Sequence, residues 1–264
     1  MTTTTIRPAA VAGLFYPRET AALRSLLARQ LRENAGTGAA PKVLIAPHAG
    51  YVYSGPVAAH AYNRVKASTP EIRRVVLLGP AHRVALRGLA LPTVTAFRTP
   101  LGDIPLDNEA MDNLRDLPQV LRSDLAHEAE HSLEVHLPFL QTVLGDFSLV
   151  PLVVGSTPAA AIAEVLERLW GGPETLVVVS TDLSHYHAYA DARRLDEDTA
   201  RHIEAMQPTL TSEQACGAYP LNGLMQVVRK RNLRITRLDL RNSGDTAGGR
   251  ERVVGYGAWA IDAA

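Results

Sequence analysis

Three short runs, 42–46, 74–78 and 175–179, are apolar after their first residue, and helical patterns separate them. A strand without polar faces has to be covered on both sides. Strands of that kind alternating with helices predict an α/β fold, with a mixed, largely parallel central sheet flanked by helices. The helical stretches include 19–33, where Leu23, Leu26, Leu27 and Leu31 share one face, and a start at Ser54-Gly55-Pro56, with serine as cap and proline in the first turn. Further helices are expected over 107–116, 129–144, 158–169, 189–205 and about 212–230, and further strands over 147–154, 233–240 and 252–261. The stretch 36–40 reads as a surface loop, and the basic run Arg229-Lys230-Arg231 suits a helix C-terminus. No Pro- or Gly-rich hinge divides the chain, so residues 1–264 are expected to form a single domain, long enough to bury a sizeable core.

Charge excludes one class of function. The chain has 27 Lys and Arg against 27 Asp and Glu, so it lacks the excess positive charge of a protein that binds nucleic acid through bulk electrostatics. The longest apolar runs, such as 75–78, are far short of a membrane span. The threonine-rich start has neither the basic residues nor the apolar stretch of a signal peptide, so a cytoplasmic protein is expected. Cys216 is the one cysteine, which excludes an intrachain disulfide and a four-thiolate zinc site.

The histidines carry the chemistry. Ligands of open α/β sheets bind beyond the carboxyl ends of the strands. There the three apolar runs lead into Pro47-His48-Ala49-Gly50-Tyr51, Gly79-Pro80-Ala81-His82 and Ser180-Thr181-Asp182-Leu183-Ser184-His185. One such histidine reads as a solvated loop residue, but three at equivalent positions point to a shared pocket. Converging neutral imidazoles suit a divalent transition metal, and two of them with one carboxylate make the non-haem Fe(II) arrangement. Asp182 or Asp245 would supply the carboxylate, although an aspartate in Asn242-Ser243-Gly244-Asp245 is also an ordinary turn residue.

His127-Glu128-Ala129-Glu130-His131 matches the metalloprotease pattern H-E-x-x-H. The charge inside the motif argues against a buried zinc helix, and His127 is expected at the surface or in a loop away from the pocket. On a helix His131 and Glu134 would share a face, with His136 about 140° from His131, so that one histidine points into the pocket while the other is structural. Cys216 reads as a small buried residue. Tyr16, Tyr51, Tyr53 and Tyr186 flank the loops, either as pocket lining or as ordinary packing.

Several longer stretches together resemble the Memo family. They are Gly13-Leu14-Phe15-Tyr16-Pro17, Ala46-Pro47-His48-Ala49-Gly50-Tyr51-Val52-Tyr53-Ser54-Gly55, Leu78-Gly79-Pro80-Ala81-His82, and Glu130-His131-Ser132-Leu133-Glu134-Val135-His136-Leu137-Pro138-Phe139. Ser180-Thr181-Asp182-Leu183-Ser184-His185-Tyr186, Cys216-Gly217 with Pro220, Asn242-Ser243-Gly244-Asp245 and Val254-Gly255-Tyr256 follow in order. The microbial members are called protein B of the AmmeMemoRadiSam system, which implies association with a radical-SAM protein and an AMMECR-type protein. The resemblance implies a fold like that of the class III extradiol dioxygenases. It implies metal ligands His48, His82 and Asp245, with His185 as acid/base and His131 as a second pocket histidine. Animal members place a cysteine at the third ligand. A carboxylate there favours Fe(II) over softer copper, with copper and zinc as alternative metals.

Three functions compete on these residues. One is a metal-dependent oxidoreductase, dioxygenase-like, acting on a small molecule. Another is a non-redox metal hydrolase or lyase. The third is a non-catalytic scaffold that binds a metal or a peptide. None of them involves nucleic acid or a membrane.

Overall fold

The computed structural model describes residues 5–34, 40–65 and 71–263, so most of the loop expected over 36–40 lies outside the described residues. In chain order the elements are β1 (Ile6–Arg7), α1 (Thr20–Glu33), β2 (Val43–Ala46), α2 (Tyr51–Asn63), β3 (Arg74–Pro80), β4 (Leu89–Leu91), β5 (Ala96–Thr99) and β6 (Gly102–Pro105). Then come α3 (Asn108–Asp112), β7 (Val120–Arg122), α4 (Asp124–Glu128), a 3-10 turn (Glu134–His136), α5 (Leu137–Leu144), β8 (Ser148–Val154) and α6 (Ala159–Leu169). The chain continues through β9 (Thr175–Ser180), β10 (His185–His187), α7 (Tyr189–Glu204), α8 (Ala218–Lys230), β11 (Leu233–Asn242), a second 3-10 turn (Ser243–Asp245) and β12 (Val253–Ala263).

The main sheet runs β10-β12-β2-β9-β3-β8-β4-β7, with β11 paired to β12. Its centre, β2-β9-β3-β8, is parallel. The pairs β12–β2, β4–β8, β11–β12 and β10–β12 are antiparallel, so the sheet is mixed. The central strands are the apolar runs read from the sequence, and they are buried along nearly their whole length. Their β-branched and leucine side chains fit a pleated surface that helices cover. Helix α2 packs on β2, β11 and β12 and is covered by α1 and α5; α8 packs on β3 and α6, and α7 on β11 and β12. One hydrophobic cluster reaches from Val11 to Ile261. A small second sheet, β1-β5-β6, ties the N-terminal segment to the middle of the chain. Among the described residues no helix is long and apolar enough to cross a membrane.

Four helix expectations change, the first over 107–116, where α3 stops at Asp112. Helix α2 starts at Tyr51 rather than at Ser54, and the Ser54 hydroxyl donates to the Ala49 carbonyl (2.9 Å) instead of capping a helix. The helix expected over 129–144 is broken. The Glu130 carboxylate takes the amide N–H groups of His131 and Ser132, both at 2.9 Å, and a helix resumes only at α5, with Pro138 in its first turn. Helix α8 starts at Ala218, not near 212, with Gly217 as its N-cap.

Candidate metal centre

Because β2, β9 and β3 are adjacent and parallel, their carboxyl ends lie on one edge of the sheet. Ala46 is opposite Ser180, and Val179 is opposite Leu78. His48 and His82 each lie two residues beyond their strand. The third imidazole of the cluster is His131, from the segment between α4 and the first 3-10 turn. One ligand atom from each of His48, His82 and His131 lies within 4.8 Å of the others. The ring centroids are 5.2 Å apart for His48 and His82, 5.4 Å for His48 and His131, and 4.7 Å for the stacked His82 and His131. Phe15 closes one side, its ring 4.7 Å from that of His131.

Two of the three rings are held from behind. His48 Nδ1 lies 2.5 Å from Ser180 Oγ, and His82 Nδ1 lies 3.0 Å from Glu130 Oε1. Glu130 also accepts the amide N–H groups of His82 (2.6 Å), His131 and Ser132. Burial works against ionisation of Glu130, but the His82 ring and these amides outweigh it and hold its carboxyl down at about 2. An ionised Glu130 can only accept, so His82 donates to it from Nδ1. His131 Nδ1 lies 3.3 Å from Glu130 Oε1 but makes no hydrogen bond. Burial pushes His131 down to about 4 and, together with the neighbouring imidazoles, His48 well below its ordinary range. These rings are therefore neutral at neutral pH, as metal ligands must be.

Cys216, expected as a small buried residue, stands beside this cluster. Its Sγ is 3.4 Å from His48 Nε2 and accepts the amide N–H of Asp182 (3.2 Å). Bonds of about 2.3 Å to sulfur and 2.0–2.1 Å to nitrogen on one tetrahedral ion would set the two atoms about 3.5 Å apart. Gly217 makes this approach possible, because a Cβ there would lie 2.5 Å from the Ser180 carbonyl oxygen. Burial, and then the Asp182 carboxylate, push the Cys216 thiol up to about 12. Asp182 itself accepts the His48 amide N–H (2.8 Å), so it fastens the loop after β2.

Asp245 is elsewhere. One of its oxygens accepts from the Tyr189 hydroxyl (2.5 Å) and the other from the Asn242 amide (3.1 Å), completing the capping box of its own turn. It lines a separate cavity of about 550 Å³ together with Arg193, Arg237 and Arg241. The carboxylate expected from it is not part of the imidazole cluster. His185 opens β10 close enough to His48 and His82 to enter their electrostatics, and its ring is bonded to the Leu183 backbone. Burial is the main cause lowering its pKa.

His127 is not at the surface. It is buried, its Nε2 is 2.9 Å from the Ala90 carbonyl oxygen, and Phe97 packs edge-on against it. Since α4 ends at Glu128, His127 and His131 share no helix and the protease pattern forms no zinc site. His136 is the buried, structural one of its pair. Tyr16 and Tyr51 are buried and bonded to Glu134 and to the Val135 carbonyl, whereas Tyr53 and Tyr186 are exposed.

A mixed α/β sheet whose carboxyl edge carries imidazoles braced by a carboxylate and a serine defines a protein fit to hold a metal ion. The donors suit one chemically: three imidazoles, with a thiol at ligand spacing from the His48 ring. The chain belongs to the Memo family, since the family of Memo-like proteins matches residues 7–260. A MEMO1 family protein of Methanopyrus kandleri is 36% identical, the match covering 96% of this chain and 97% of that protein. Another, from Methanothermobacter thermautotrophicus, is 36% identical over 95% and 98%. One from Thermotoga maritima is 35% identical over 95% and 97%.

Proposed function

We propose that this protein is a metal-dependent oxidoreductase acting on a small molecule, with a divalent transition metal held by His48, His82 and His131 and Cys216 as a further donor. The observation that carries this reading is the meeting of three imidazoles within 4.8 Å, two of them with Nδ1 already engaged. With Asp245 occupied in its own turn, the donor set is imidazole and thiol, which suits iron, copper and zinc. The proposed reaction calls for iron or copper. Such an ion supplies redox chemistry and Lewis acidity at whatever position the protein leaves open.

The remaining work falls to the protein's own side chains. His185, oriented by the Leu183 backbone, is placed to take a proton from the substrate or return one through its other ring nitrogen. Phe15 excludes water from one flank of His131. Tyr186, exposed beside His185, borders the approach.

The test is elemental analysis of protein purified without oxygen or chelators, followed by oxygen-uptake measurements with candidate small molecules. Iron or copper near one per chain, lost in His48→Ala and His82→Ala, with oxygen-dependent turnover lost in His185→Gln, is the expected result. Zinc with oxygen-independent hydrolysis would establish the hydrolase reading instead. A metal-free protein that still bound its partner would overturn both enzyme readings.

A further inference from the structure

Behind His48 lies a chain of buried polar groups that the reaction does not use. Ser180 Oγ has three neighbours: His48 Nδ1 at 2.5 Å, His136 Nε2 at 2.8 Å and the Ser132 carbonyl oxygen at 2.7 Å. His136 Nδ1 is in turn 2.6 Å from the Tyr62 hydroxyl. All four side chains are buried, Tyr62 and Ser180 completely.

Counting protons fixes every bond. A serine hydroxyl has one hydrogen and two lone pairs, and a carbonyl oxygen can only accept. The Ser180 hydrogen therefore goes to the Ser132 carbonyl, and both imidazoles must donate to Ser180. Burial pushes His136 down to about 3, so its ring is neutral and carries one N–H, on Nε2. His136 Nδ1 is then an acceptor, and the Tyr62 hydroxyl donates to it. At the other end His48 carries its hydrogen on Nδ1 and its lone pair on Nε2, the nitrogen next to Cys216.

We propose that Ser180 is a positioning residue that locks the His48 ring in its Nδ1–H form, presenting Nε2 to the metal, because its one hydrogen is committed to the Ser132 carbonyl while the Tyr62–His136 pair fills its other lone pair. The proposal rests on the metal-centre reading above. The chain of bonds is a lock and not a proton wire. Its far end, the Tyr62 hydroxyl, is sealed from solvent, and the Tyr62 ring stacks on Phe139 with centroids 5.0 Å apart. A proton moved along it would have no exit.

The Tyr62–His136 pair keeps the second lone pair of Ser180 occupied, and the Ser132 carbonyl takes its hydrogen. A serine alone allows two arrangements, since its hydrogen can go to His48 Nδ1 as readily as to a carbonyl. With His136 donating from one side and the Ser132 carbonyl accepting on another, the one group that still fits at the remaining lone pair is an N–H. Removing the Tyr62 hydroxyl frees the His136 ring to move its hydrogen to Nδ1, but the one Ser180 hydrogen then goes to the Ser132 carbonyl or to His136, and His48 Nδ1 still has to donate.

The experiment uses the full chain, Co(II) as the probe metal, and three variants: Tyr62→Phe, Ser180→Ala and His136→Gln. Glutamine keeps a donor and an acceptor on one side chain and is the conservative rescue. Co(II) affinity is measured by chelator competition, and the His48 ring tautomer by ¹⁵N NMR of the metal-free protein. Losing a partner behind a ligand typically costs about 10–100-fold in metal affinity. Ser180→Ala should weaken Co(II) binding by about tenfold or more and turn the His48 signal from Nδ1–H into a mixture, whereas Tyr62→Phe should keep the Nδ1–H signal. His136→Gln should stay close to wild type in both. A folded Ser180→Ala protein with a pure Nδ1–H signal and unchanged affinity, or a Tyr62→Phe protein with a mixed His48 signal, would overturn the proposal. If wild type itself binds no Co(II), the metal reading fails, while the tautomer measurement still decides whether the lock exists.

Discussion

Replacing Arg7 by methionine should destabilise the protein and empty the metal centre together. Arg7 and Glu134 form an ion pair with almost no exposure on either side chain. The guanidinium also donates to the carbonyl oxygens of His127 (2.8 Å) and Glu130 (2.7 Å). Glu134 accepts in addition the amides of Ala10 (2.8 Å) and Val11 (3.0 Å) and the Tyr16 hydroxyl (2.6 Å). Methionine fills similar volume but leaves the carboxylate buried without its cation, a change that costs about 3–5 kcal/mol. The three neutral donors still solvate Glu134, which places the loss towards the lower end. Two carbonyls stripped of their donor push it back up, at roughly 1–3 kcal/mol for each that water cannot reach.

A net loss of about 3–5 kcal/mol corresponds to a fall in Tm of about 6–20 °C for a chain of this size. Arg7→Lys should recover only part of it, because an ammonium cannot reproduce the planar fork that meets three acceptors. Urea unfolding gives the stability, and metal analysis of the folded fraction gives the second readout, since Arg7 fixes the segment that carries Glu130 and His131. A change under about 1 kcal/mol, the range of an exposed ion pair, would show that the buried-pair reasoning is wrong. A stable variant with full metal would show that the segment holds its shape without Arg7.

Three further outcomes follow. Asp245→Asn should leave metal content unchanged and cost about 0.5–2 kcal/mol as a weakened cap; metal loss as complete as in His48→Ala would restore Asp245 as a ligand. Gly217→Ala puts a methyl group 2.5 Å from the Ser180 carbonyl oxygen, so it should cost about 1–3 kcal/mol and lower metal affinity by moving Cys216, whereas an unperturbed protein would mean that α8 can shift freely. Burial holds His127 at about 4, against 6.5 ordinarily. The unfolded chain therefore takes up a proton that the folded one refuses, so this contribution is intact above pH 6.5 and is lost as pH falls towards 4, at up to about 1.4 kcal/mol per pH unit. Urea midpoints should drop across that window, less steeply by one proton in His127→Gln, and an identical slope in the variant would refute the assignment.

The centre of the fold was legible because β2, β3, β8 and β9 are apolar enough to require burial on both faces. Their spatial order was not: the position of β9 between β2 and β3 depends on crossovers that periodicity does not encode. Strands of two to four residues, such as β4, β7 and β10, have too few positions to display an alternation, and β10 exists because His185 and His187 pair with β12. The segment 129–144 has a helical composition, yet one buried carboxylate diverts two of its amides, and a side chain competing for backbone donors is invisible to a window average.

The same limit explains the site. Reading loops at strand ends found His48 and His82, whose place follows from parallel neighbours. It missed the part played by His131, which no strand delivers: that segment is anchored from the other end of the sequence by Arg7. Cys216 reads as ordinary packing because a lone cysteine carries no periodic signal, and the glycine after it matters only once β9 is known to lie against it. Asp245 was drawn in by its polar turn, but the capping box Asn242 and Asp245 form consumes both carboxylate oxygens. Ser180 shows how far the dependence goes. It is one small hydroxyl at the end of an apolar strand, yet its single hydrogen decides which nitrogen His48 can offer. A centre built this way is specified less by its ligands than by the buried groups that leave each ligand one possible form.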